Sequence, residues 1–212
     1  MRKMAEKYII CLGRQYGSGG HKVGQYLSEM LGIDYYDKEI IDAASQQSGI
    51  SACHFERVDE KAPGSLSHLL STSLFSVGGA IPCNNSLSND NIFMHQASVI
   101  RDLAAKGSCI IVGRCADYIL RDEENVFSVF VSSPMKHRVK RIMEREGLTE
   151  QRAAEKARKM DKLRRSYYDY YTDKSWGEAS SYNLLIDTSV LGEEQTACFI
   201  RDFVLRAMED KK

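Results

Sequence analysis

The sequence predicts an α/β fold in which helices cover a parallel sheet of five strands. Short apolar runs bounded by turn residues alternate with stretches of helical periodicity, which is typical of parallel β–α–β units. A glycine-rich turn directly follows the first apolar run. With 212 residues, the chain is long enough for a single domain built on one core.

Each strand is predicted from a short run of apolar and β-branched residues, and each helix from apolar residues spaced three and four apart. The strands are predicted over residues 8–12, 34–36, 109–112, 126–131 and 184–186. A first helix follows the glycine-rich turn and ends at Gly32, and further helices are predicted over 92–105, 134–145, 149–171 and 193–208.

An uncharged segment over residues 63–89 interrupts this pattern and contains seven serines. Its low helix propensity predicts the boundary of an insertion upon the core, folded either as a mobile flap or as a pair of small helices. Because Gly, Ser, Asn and Pro break it, it predicts no membrane span. We therefore expect one domain over residues 1–212 with an insertion at about 38–107.

Composition excludes two classes of protein. The chain is 43% hydrophobic and 27% charged, with Lys+Arg 29 against Asp+Glu 29, so it is neither a disordered tail nor a globally basic nucleic-acid binder. Six cysteines without a C-x-x-C pair predict reduced thiols rather than a zinc site or disulfides. Five apolar residues after the charged start are too few for a signal peptide, so we expect a cytoplasmic protein.

The glycine-rich turn spans residues 13–22, with sequence GRQYGSGGHK, between a buried strand and a helix. At this position several backbone N–H groups and the helix dipole form a cradle for phosphate oxygens. A tight strand-to-helix connection without a ligand is the alternative.

Two nucleotide-binding patterns can be compared with this turn. The dinucleotide pattern Gly-x-Gly-x-x-Gly fails, because counting from Gly17 and Gly19 places Lys22 at its last glycine. The P-loop pattern fits better, although Arg14 replaces its first glycine and Gly20 its lysine. His21 stands where a hydroxyl would bind magnesium. The turn is therefore a degenerate P-loop.

Four segments together resemble the cytidylate kinase-like proteins: residues 13–20 (GRQYGSGG), 35–39 (YYDKE), 112–118 (VGRCADY) and 186–189 (IDTS). They extend over nearly the whole chain in the order and spacing of nucleoside monophosphate kinases. The resemblance implies a three-layer P-loop NTPase fold. It also implies an inserted region that binds the monophosphate nucleotide and a basic helical lid, here at about 148–182, that closes over the phosphates.

The resemblance also implies roles for individual residues. The ATP phosphate cradle is expected at Gly17, Ser18, Gly19, Gly20, His21 and Lys22, with Arg158 and Arg165 from the lid. The acceptor site is expected at Asp37, Arg114, Asp117, Arg138 and Arg141, where Cys115 replaces the acid of the family's Gly-Arg-Asp tripeptide. Catalytic roles are expected for Arg14, Lys22, Arg114, Asp161 and Arg164, with Arg14 or Lys22 replacing the missing lysine.

Positive charge is concentrated between Lys136 and Arg165. This stretch contains twelve Lys and Arg residues and five Asp and Glu residues, an excess of seven positive charges. Because the whole chain sums to zero, the rest carries minus seven, and a polyphosphate ligand is a sufficient reason for this separation. A solvated helix face is the alternative for most of these residues. Binding of RNA or DNA, with Tyr167, Tyr168, Tyr170 and Tyr171 as stacking platforms, is disfavoured because such tyrosines usually pack on the core.

The sequence therefore predicts a kinase that uses ATP and Mg²⁺ to phosphorylate a nucleoside monophosphate such as CMP. Asp161 is expected to orient arginines of the lid or to pair with Arg158 or Arg165 in its own helix. Two other functions remain open: a nucleotide-binding regulator that lost the transfer, and a kinase for a non-nucleotide acceptor. We expect no nucleic-acid or membrane partner and no metal site besides nucleotide-bound Mg²⁺, and the oligomeric state stays open between monomer and homodimer.

Overall fold

A computed structural model describes residues 7–37, 40 and 89–210 of the chain. All five predicted strands are present, and each begins within one residue of its predicted start. They are β1 (Ile9–Arg14), β2 (Asp34–Tyr36), β3 (Cys109–Val112), β4 (Val126–Ser132) and β5 (Leu184–Asp187). The prediction of an α/β fold with five parallel strands is confirmed.

The sheet has the strand order β2-β3-β1-β4-β5, and every neighbouring pair is parallel. β1 lies at the centre, where Leu12 pairs with Val112 on one side and Val129 on the other. The chain leaves β1 toward β2 on one side and later returns to β4 on the other. The glycine-rich turn therefore lies at the carboxyl end of the strand where the connections diverge, the usual ligand position in such sheets.

Six α-helices lie within the described ranges 7–37 and 89–210, and they are numbered here in chain order. They are α1 (Gly20–Leu31), α2 (Asn89–Lys106), α3 (Ala116–Ile119), α4 (Met135–Glu146), α5 (Glu150–Tyr171) and α6 (Thr188–Glu209). Gly32 ends α1 in the left-handed conformation, as the sequence predicts. α6 is broken at Gly192, whose φ of 75° and ψ of 175° are not helical, so the predicted helix 193–208 is the part after this break.

Two apolar layers hold the helices against the sheet. Side chains of α1 and α6, including Val23, Leu27 and Ile200, pack on one face of β1. Side chains of α2 and α3, including Ile100 and Ile119, pack on the other face. The molecule is therefore a sheet between two helical layers, as the three-layer prediction requires.

The basic region folds as a hairpin of α4 and α5, joined at Gly147 in the left-handed conformation. Val139 and Ile142 of α4 pack against Ala153 and Ala157 of α5, and Tyr16 joins this cluster. The hairpin is thereby fixed beside the glycine-rich turn. No helix in the described part of the chain has the length and apolar character needed to cross a bilayer.

The prediction for residues 63–89 lies outside the described residues, apart from the first residue of α2. The insertion and lid boundaries remain predictions.

Candidate active site

A cleft of about 660 Å³ opens at the glycine-rich turn, and we call it the loop cleft. Its volume lies within the range of small-molecule sites. Its lining combines the turn with charged side chains of α4, α5 and α6. The lining residues are Arg14, Gln15, Tyr16, Gly17, Gly19, Gly20, His21, Lys22, Asp37, Arg141, Glu144, Arg145, Glu146, Arg164 and Glu193.

The floor of the loop cleft is the start of α1. Gly19 precedes the helix with a φ of 87°, and no side chain of its own caps the first turn. The first N–H groups of a helix have no intrahelical acceptor and carry the positive end of the helix dipole. Because Gly17 also has a positive φ, of 78°, the turn curls back upon itself before the helix begins. This geometry suits an anion.

The turn is supported from below by buried polar side chains. Thr188, which is fully buried, donates its hydroxyl to the carbonyl of Ser18 at 2.6 Å. Arg141 Nη1 contacts the carbonyls of Gly17 and Ser18 at 3.5 and 3.4 Å, and its Nε pairs with Glu193 at 3.1 Å. With these carbonyls held from behind, the turn is fixed in one orientation. Arg141 is predicted to bind the acceptor, and the structure places it in the lining of the loop cleft, against the carbonyls of the turn.

Asp161 joins the hairpin to the turn. Its carboxylate accepts a hydrogen bond from the backbone N–H of Tyr16 at 2.7 Å and another from Arg138 of α4. Arg138 also donates to the carbonyl of Tyr16 at 3.1 Å. The partner of Asp161 is therefore Arg138, not Arg158 or Arg165, and both members of the pair position the turn.

Tyr16 lies among cations at the wall of the loop cleft. The guanidinium carbons of Arg145 and Arg164 and the Nζ of Lys156 lie 5.1 to 5.6 Å from its ring centre. Its hydroxyl donates to Glu146 at 2.6 Å. Burial would raise the pKa of Glu146, but hydrogen bonds from Lys156, Tyr16 and Arg145 outweigh it and lower that pKa to about 2.

A second, smaller cavity of about 30 Å³ lies at the carboxyl ends of β1 and β3, and we call it the aromatic cavity. Tyrosine, tryptophan and arginine side chains form most of its wall. The lining residues are Cys11, Leu12, Gly13, Arg14, Gly113, Arg114, Cys115, Asp117, Arg164, Tyr167, Tyr168, Trp176 and Tyr182. Trp176 and Tyr182 hold this wall in place by packing on Phe130 with ring centres 5.0 and 4.9 Å apart.

Arg114 enters the aromatic cavity from a strained turn. Gly113, Arg114 and Cys115 have φ values of 76°, 58° and 55°. For the two residues with side chains, this conformation costs roughly 1–2 kcal/mol each. Arg114 is only 6% exposed, so a charged group is held out of water at a strained backbone position. Such strain is concentrated at functional sites, which favours a ligand-binding role.

Asp117 lines the same cavity and is 9% exposed. It accepts a hydrogen bond from the Tyr168 hydroxyl at 2.7 Å, and Lys174 Nζ lies at 3.7 Å. Burial raises its pKa, and the hydrogen bond from Tyr168 and the charge of Lys174 oppose that rise. Asp117 is predicted to contact the acceptor. In this structure its described partners are Tyr168 and Lys174.

The structure sorts the other predicted residues by cavity. Arg14 and Arg164 line both cavities, and Arg164 Nη1 donates to the carbonyl of Arg14 at 3.1 Å. His21, Lys22 and Asp37 line the loop cleft. Arg158 and Arg165 are exposed on α5, where Arg165 lies over the ring of Trp176 at 5.8 Å. Neither is among the described residues that line the loop cleft, and their contact with ATP stays a prediction.

Sequence reasoning missed Tyr16, Glu146, Thr188 and Glu193. Their partners are distant in the chain; for example, Thr188 and Ser18 are separated by 170 positions. The motif at 186–189 was the one available signal for Thr188, and nothing in the local pattern marks Glu193 as a partner of Arg141.

Comparison with known proteins identifies the family. Residues 9–190 match the sequence model of the cytidylate kinase-like family. The chain belongs to that family. This cytidylate kinase-like protein is also 24% identical over 181 residues to a cytidylate kinase of Aeropyrum pernix, a match covering 85% of this chain and 89% of that enzyme.

Solved structures agree on the fold. An uncharacterized protein from Eubacterium ventriosum is 29% identical, with a TM-score of 0.69 over 93% of this chain and 98% of its own. A shikimate kinase from Bacteroides thetaiotaomicron has a TM-score of 0.56 at 9% identity, covering 94% and 99% of the two chains. A gluconokinase from Sinorhizobium meliloti has a TM-score of 0.52 at 12% identity, covering 96% and 95%. Family and fold together place the cytidylate kinase-like protein among the P-loop kinases.

Proposed function

We propose that this protein transfers the γ-phosphoryl group of ATP, with Mg²⁺, to a nucleoside monophosphate such as CMP. The observation that carries the proposal is the shared wall of the two cavities. Arg14 and Arg164 line both the loop cleft, which suits a polyphosphate, and the aromatic cavity, which holds Arg114. A phosphoryl group leaving one cavity for the other would pass these two guanidinium groups.

The loop cleft fits the triphosphate of ATP in volume and in charge. The start of α1 offers backbone N–H groups, and Lys22 and Arg145 add positive charge at its wall. The carbonyls of Gly17 and Ser18 are held from behind by Arg141 and Thr188. The cradle would therefore bind phosphate without reorganising, which is the main source of electrostatic catalysis.

Mg²⁺ fits the loop cleft through Asp37. The hydroxyl of an ordinary P-loop is absent, because His21 stands there with its Nδ1 at 3.2 Å from Asp37 Oδ2. Mg²⁺ takes few protein ligands and prefers carboxylates, water and phosphate oxygens. Asp37 would hold the ion, which would neutralise charge on the β- and γ-phosphate oxygens. No cluster of three or more His, Cys, Asp or Glu side chains suited to a metal lies within the described ranges 7–37 and 89–210.

The acceptor would present its phosphate to Arg114. The aromatic cavity has room for one or two water molecules, so the nucleoside itself is expected to contact the inserted region. An acceptor phosphate oxygen would form a bond to the γ-phosphorus while the bond to the β–γ bridging oxygen breaks, giving ADP and a nucleoside diphosphate. An acceptor phosphate is already an anion at neutral pH, so positioning and charge neutralisation suffice and no general base is needed.

A coupled assay of ADP release with a panel of nucleoside monophosphates tests the proposal. We expect release that depends on one or more monophosphates, with CMP among them, and ATP hydrolysis that is much slower without an acceptor. Arg114→Ala should lower acceptor-dependent turnover by about 100-fold or more while leaving ATP affinity near wild type.

Arg121→Ala is the matched control, because Arg121 is exposed seven residues away and donates to the carbonyl of Tyr118. It should leave turnover unchanged. Tight ATP binding without turnover on any nucleotide would refute the proposed transfer.

One observation favours a second candidate, a nucleotide-binding regulator. The carboxylate of Glu193 lies against Gly19 at the start of α1, where a Cβ would be 2.7 Å from Oε1. A negative charge there opposes a phosphate. For a regulator we expect ATP to bind and change the stability of the protein, with no ADP formed in the presence of any monophosphate or small-metabolite acceptor.

A further inference from the structure

Residues 14 and 20 face each other across the glycine-rich turn. A Cβ built on Gly20 would lie 2.7 Å from Cβ of Arg14 and 3.2 Å from its Cγ. Real Cβ atoms do not approach so closely, and the Cβ of Arg14 cannot swing aside because the backbone fixes it. While this backbone is kept, residues 14 and 20 cannot both carry a side chain.

This restriction explains both departures from the P-loop pattern at once. The ordinary pattern has glycine at the position of Arg14 and lysine at the position of Gly20. The present chain reverses them, with the side chain on the strand and the glycine on the helix. The two departures are one exchange, so the missing lysine is not an isolated loss.

The exchange keeps a cation at the site. The Arg14 side chain is 13% exposed and extends from the end of β1 toward the carboxyl end of β3, where its Nη1 occupies the space that a Cβ on Gly113 would take. Its Nη2 lies 3.8 Å from Asp37 Oδ1, which fixes its direction. Arg164 holds the carbonyl of Arg14 at 3.1 Å. The guanidinium is therefore held at the wall that the two cavities share.

Lys22, the other candidate for the missing charge, differs on each point. It is exposed on the first turn of α1, and it lines the loop cleft but not the aromatic cavity. An ammonium there reaches the phosphates from the solvent side. Arg14 is placed between donor and acceptor, where charge develops during transfer.

We propose that Arg14 is the catalytic cation of this site and that Gly20 is glycine because Arg14 occupies the space of its side chain. The proposal rests on the proposed function for its catalytic part. Its steric part concerns ATP binding alone.

A rescue experiment tests the steric part through ATP affinity, measured by calorimetry with Mg²⁺ and ATP. Gly20→Lys alone should lower ATP affinity by at least about 10-fold, because the new Cβ displaces the turn. Adding Arg14→Gly should restore affinity to within about threefold of wild type, since the glycine removes the opposing Cβ. Adding Arg14→Ala instead should restore nothing, since alanine keeps that Cβ.

The contrast between these two double variants decides the outcome. Equal affinities for them, or wild-type affinity for Gly20→Lys alone, would overturn the steric pairing. Circular dichroism of each variant separates a local change in the turn from global unfolding.

A second pair of variants tests the charge without adding or removing a Cβ. Arg14→Met keeps the length of the side chain and removes its charge, whereas Arg14→Lys keeps a charge. We expect turnover to fall by about 10²–10³-fold with methionine and by about 10-fold or less with lysine. Equal turnover of the two variants would overturn the catalytic role of Arg14.

The proposed phosphoryl transfer and the proposed role of Arg14 can be refuted separately. A wild-type protein that phosphorylates no monophosphate would refute the proposed function, and the rescue experiment would still test the pairing through ATP affinity. A wild-type protein that is active and indifferent to Arg14→Met would refute this proposal and leave the proposed function intact. Arg206→Ala, at an exposed arginine on α6, controls for the loss of a positive charge elsewhere.

Discussion

The loop cleft and the aromatic cavity adjoin at Arg14 and Arg164 but are built on opposite principles. The loop cleft is wide, and its charges compensate one another across the surface of the hairpin and the turn. The aromatic cavity is far smaller, about 30 Å³ against 660 Å³, and the packed rings of Phe130, Trp176, Tyr167 and Tyr168 lie around its charged groups. The proposed polyphosphate site is therefore large and lined by charge, and the proposed acceptor site is small and lined by rings.

One carboxyl group in each region shows this difference. The pKa of Glu146, at the loop cleft, is lowered to about 2 because hydrogen bonds from cations and Tyr16 outweigh burial. The pKa of Asp117, in the aromatic cavity, is raised because burial outweighs Tyr168 and Lys174. Networks of charge thus stabilise the ionised acid in the first region, and dehydration opposes it in the second.

The largest effect is expected from removing the ring that supports the aromatic cavity. Phe130→Ala should lower the free energy of unfolding by about 3–5 kcal/mol, because Phe130 is fully buried against Trp176 and Tyr182. Urea denaturation measures it. Phe199→Ala, at a phenylalanine that is 51% exposed, should stay within about 0.5 kcal/mol of wild type. A loss below about 1 kcal/mol for Phe130→Ala would contradict the role of packing.

An intermediate effect is expected at the two carboxyl groups, with opposite dependence on pH. Glu146→Gln should cost about 2 kcal/mol at pH 7, since Glu146 accepts charged hydrogen bonds. Because its pKa is about 2 when folded and 4.5 otherwise, the wild type should lose this stability as pH falls from about 4.5 to 2. Denaturant titrations across this range should show the loss in wild type and not in Glu146→Gln.

Asp117 predicts the opposite slope. Its pKa is raised above 3.8 on folding, so the folded protein binds this proton more tightly, and its contribution to stability falls as pH rises above about 3.8. Asp117→Asn should remove that fall, with a change within about 1 kcal/mol at pH 7, because asparagine keeps an acceptor for the Tyr168 hydroxyl and the Lys174 side chain is 34% exposed. For each variant, the measured quantity is the stability difference from wild type as a function of pH. If this difference changes with pH in the same direction for both variants, the distinction between the two regions is wrong.

The last effect is expected at the floor of the loop cleft, on ATP binding as well as on stability. Gly19→Ala places a side chain at a φ of 87° and against Glu193, at a cost of roughly 1–2 kcal/mol. If the turn relaxes to relieve this strain, ATP affinity should fall by about 10-fold in calorimetry. Gly147→Ala carries a similar φ of 65° with nothing within 4 Å of the new Cβ. Gly147→Ala should lower the free energy of unfolding and leave ATP affinity unchanged. An equal loss of ATP affinity in this variant would contradict phosphate binding by the glycine-rich turn.

Local patterns were sufficient to predict most of the described fold. The strands at residues 9–14 and 109–112 are apolar because both faces of a central parallel strand are buried, and such runs are visible without any partner. The helical turn at residues 188–191, before the break at Gly192, was not predicted, because four residues ahead of a glycine are too few to show helical periodicity.

The site was predicted in part, where chemistry follows the motif. The glycine-rich turn could be located from residue type and its position after a strand, and Arg114 from its resemblance to the family's Gly-Arg-Asp tripeptide. The partners of Asp161 could not, since Arg138 and the N–H of Tyr16 meet it only after the hairpin of α4 and α5 packs on the turn. The backbone strain at Arg114 and the steric conflict between side chains at residues 14 and 20 are visible only in the structure. In the sequence they appear only as departures from a motif.

A crystal structure with Mg²⁺ and a non-hydrolysable ATP analogue tests the central claim most directly. We expect the triphosphate on the backbone N–H groups of residues 17–21, with the Arg14 guanidinium in contact with the terminal phosphate and Arg114 on the acceptor side of Arg14. A loop cleft that stays empty at saturating analogue, or an analogue bound away from Arg14, would contradict the account.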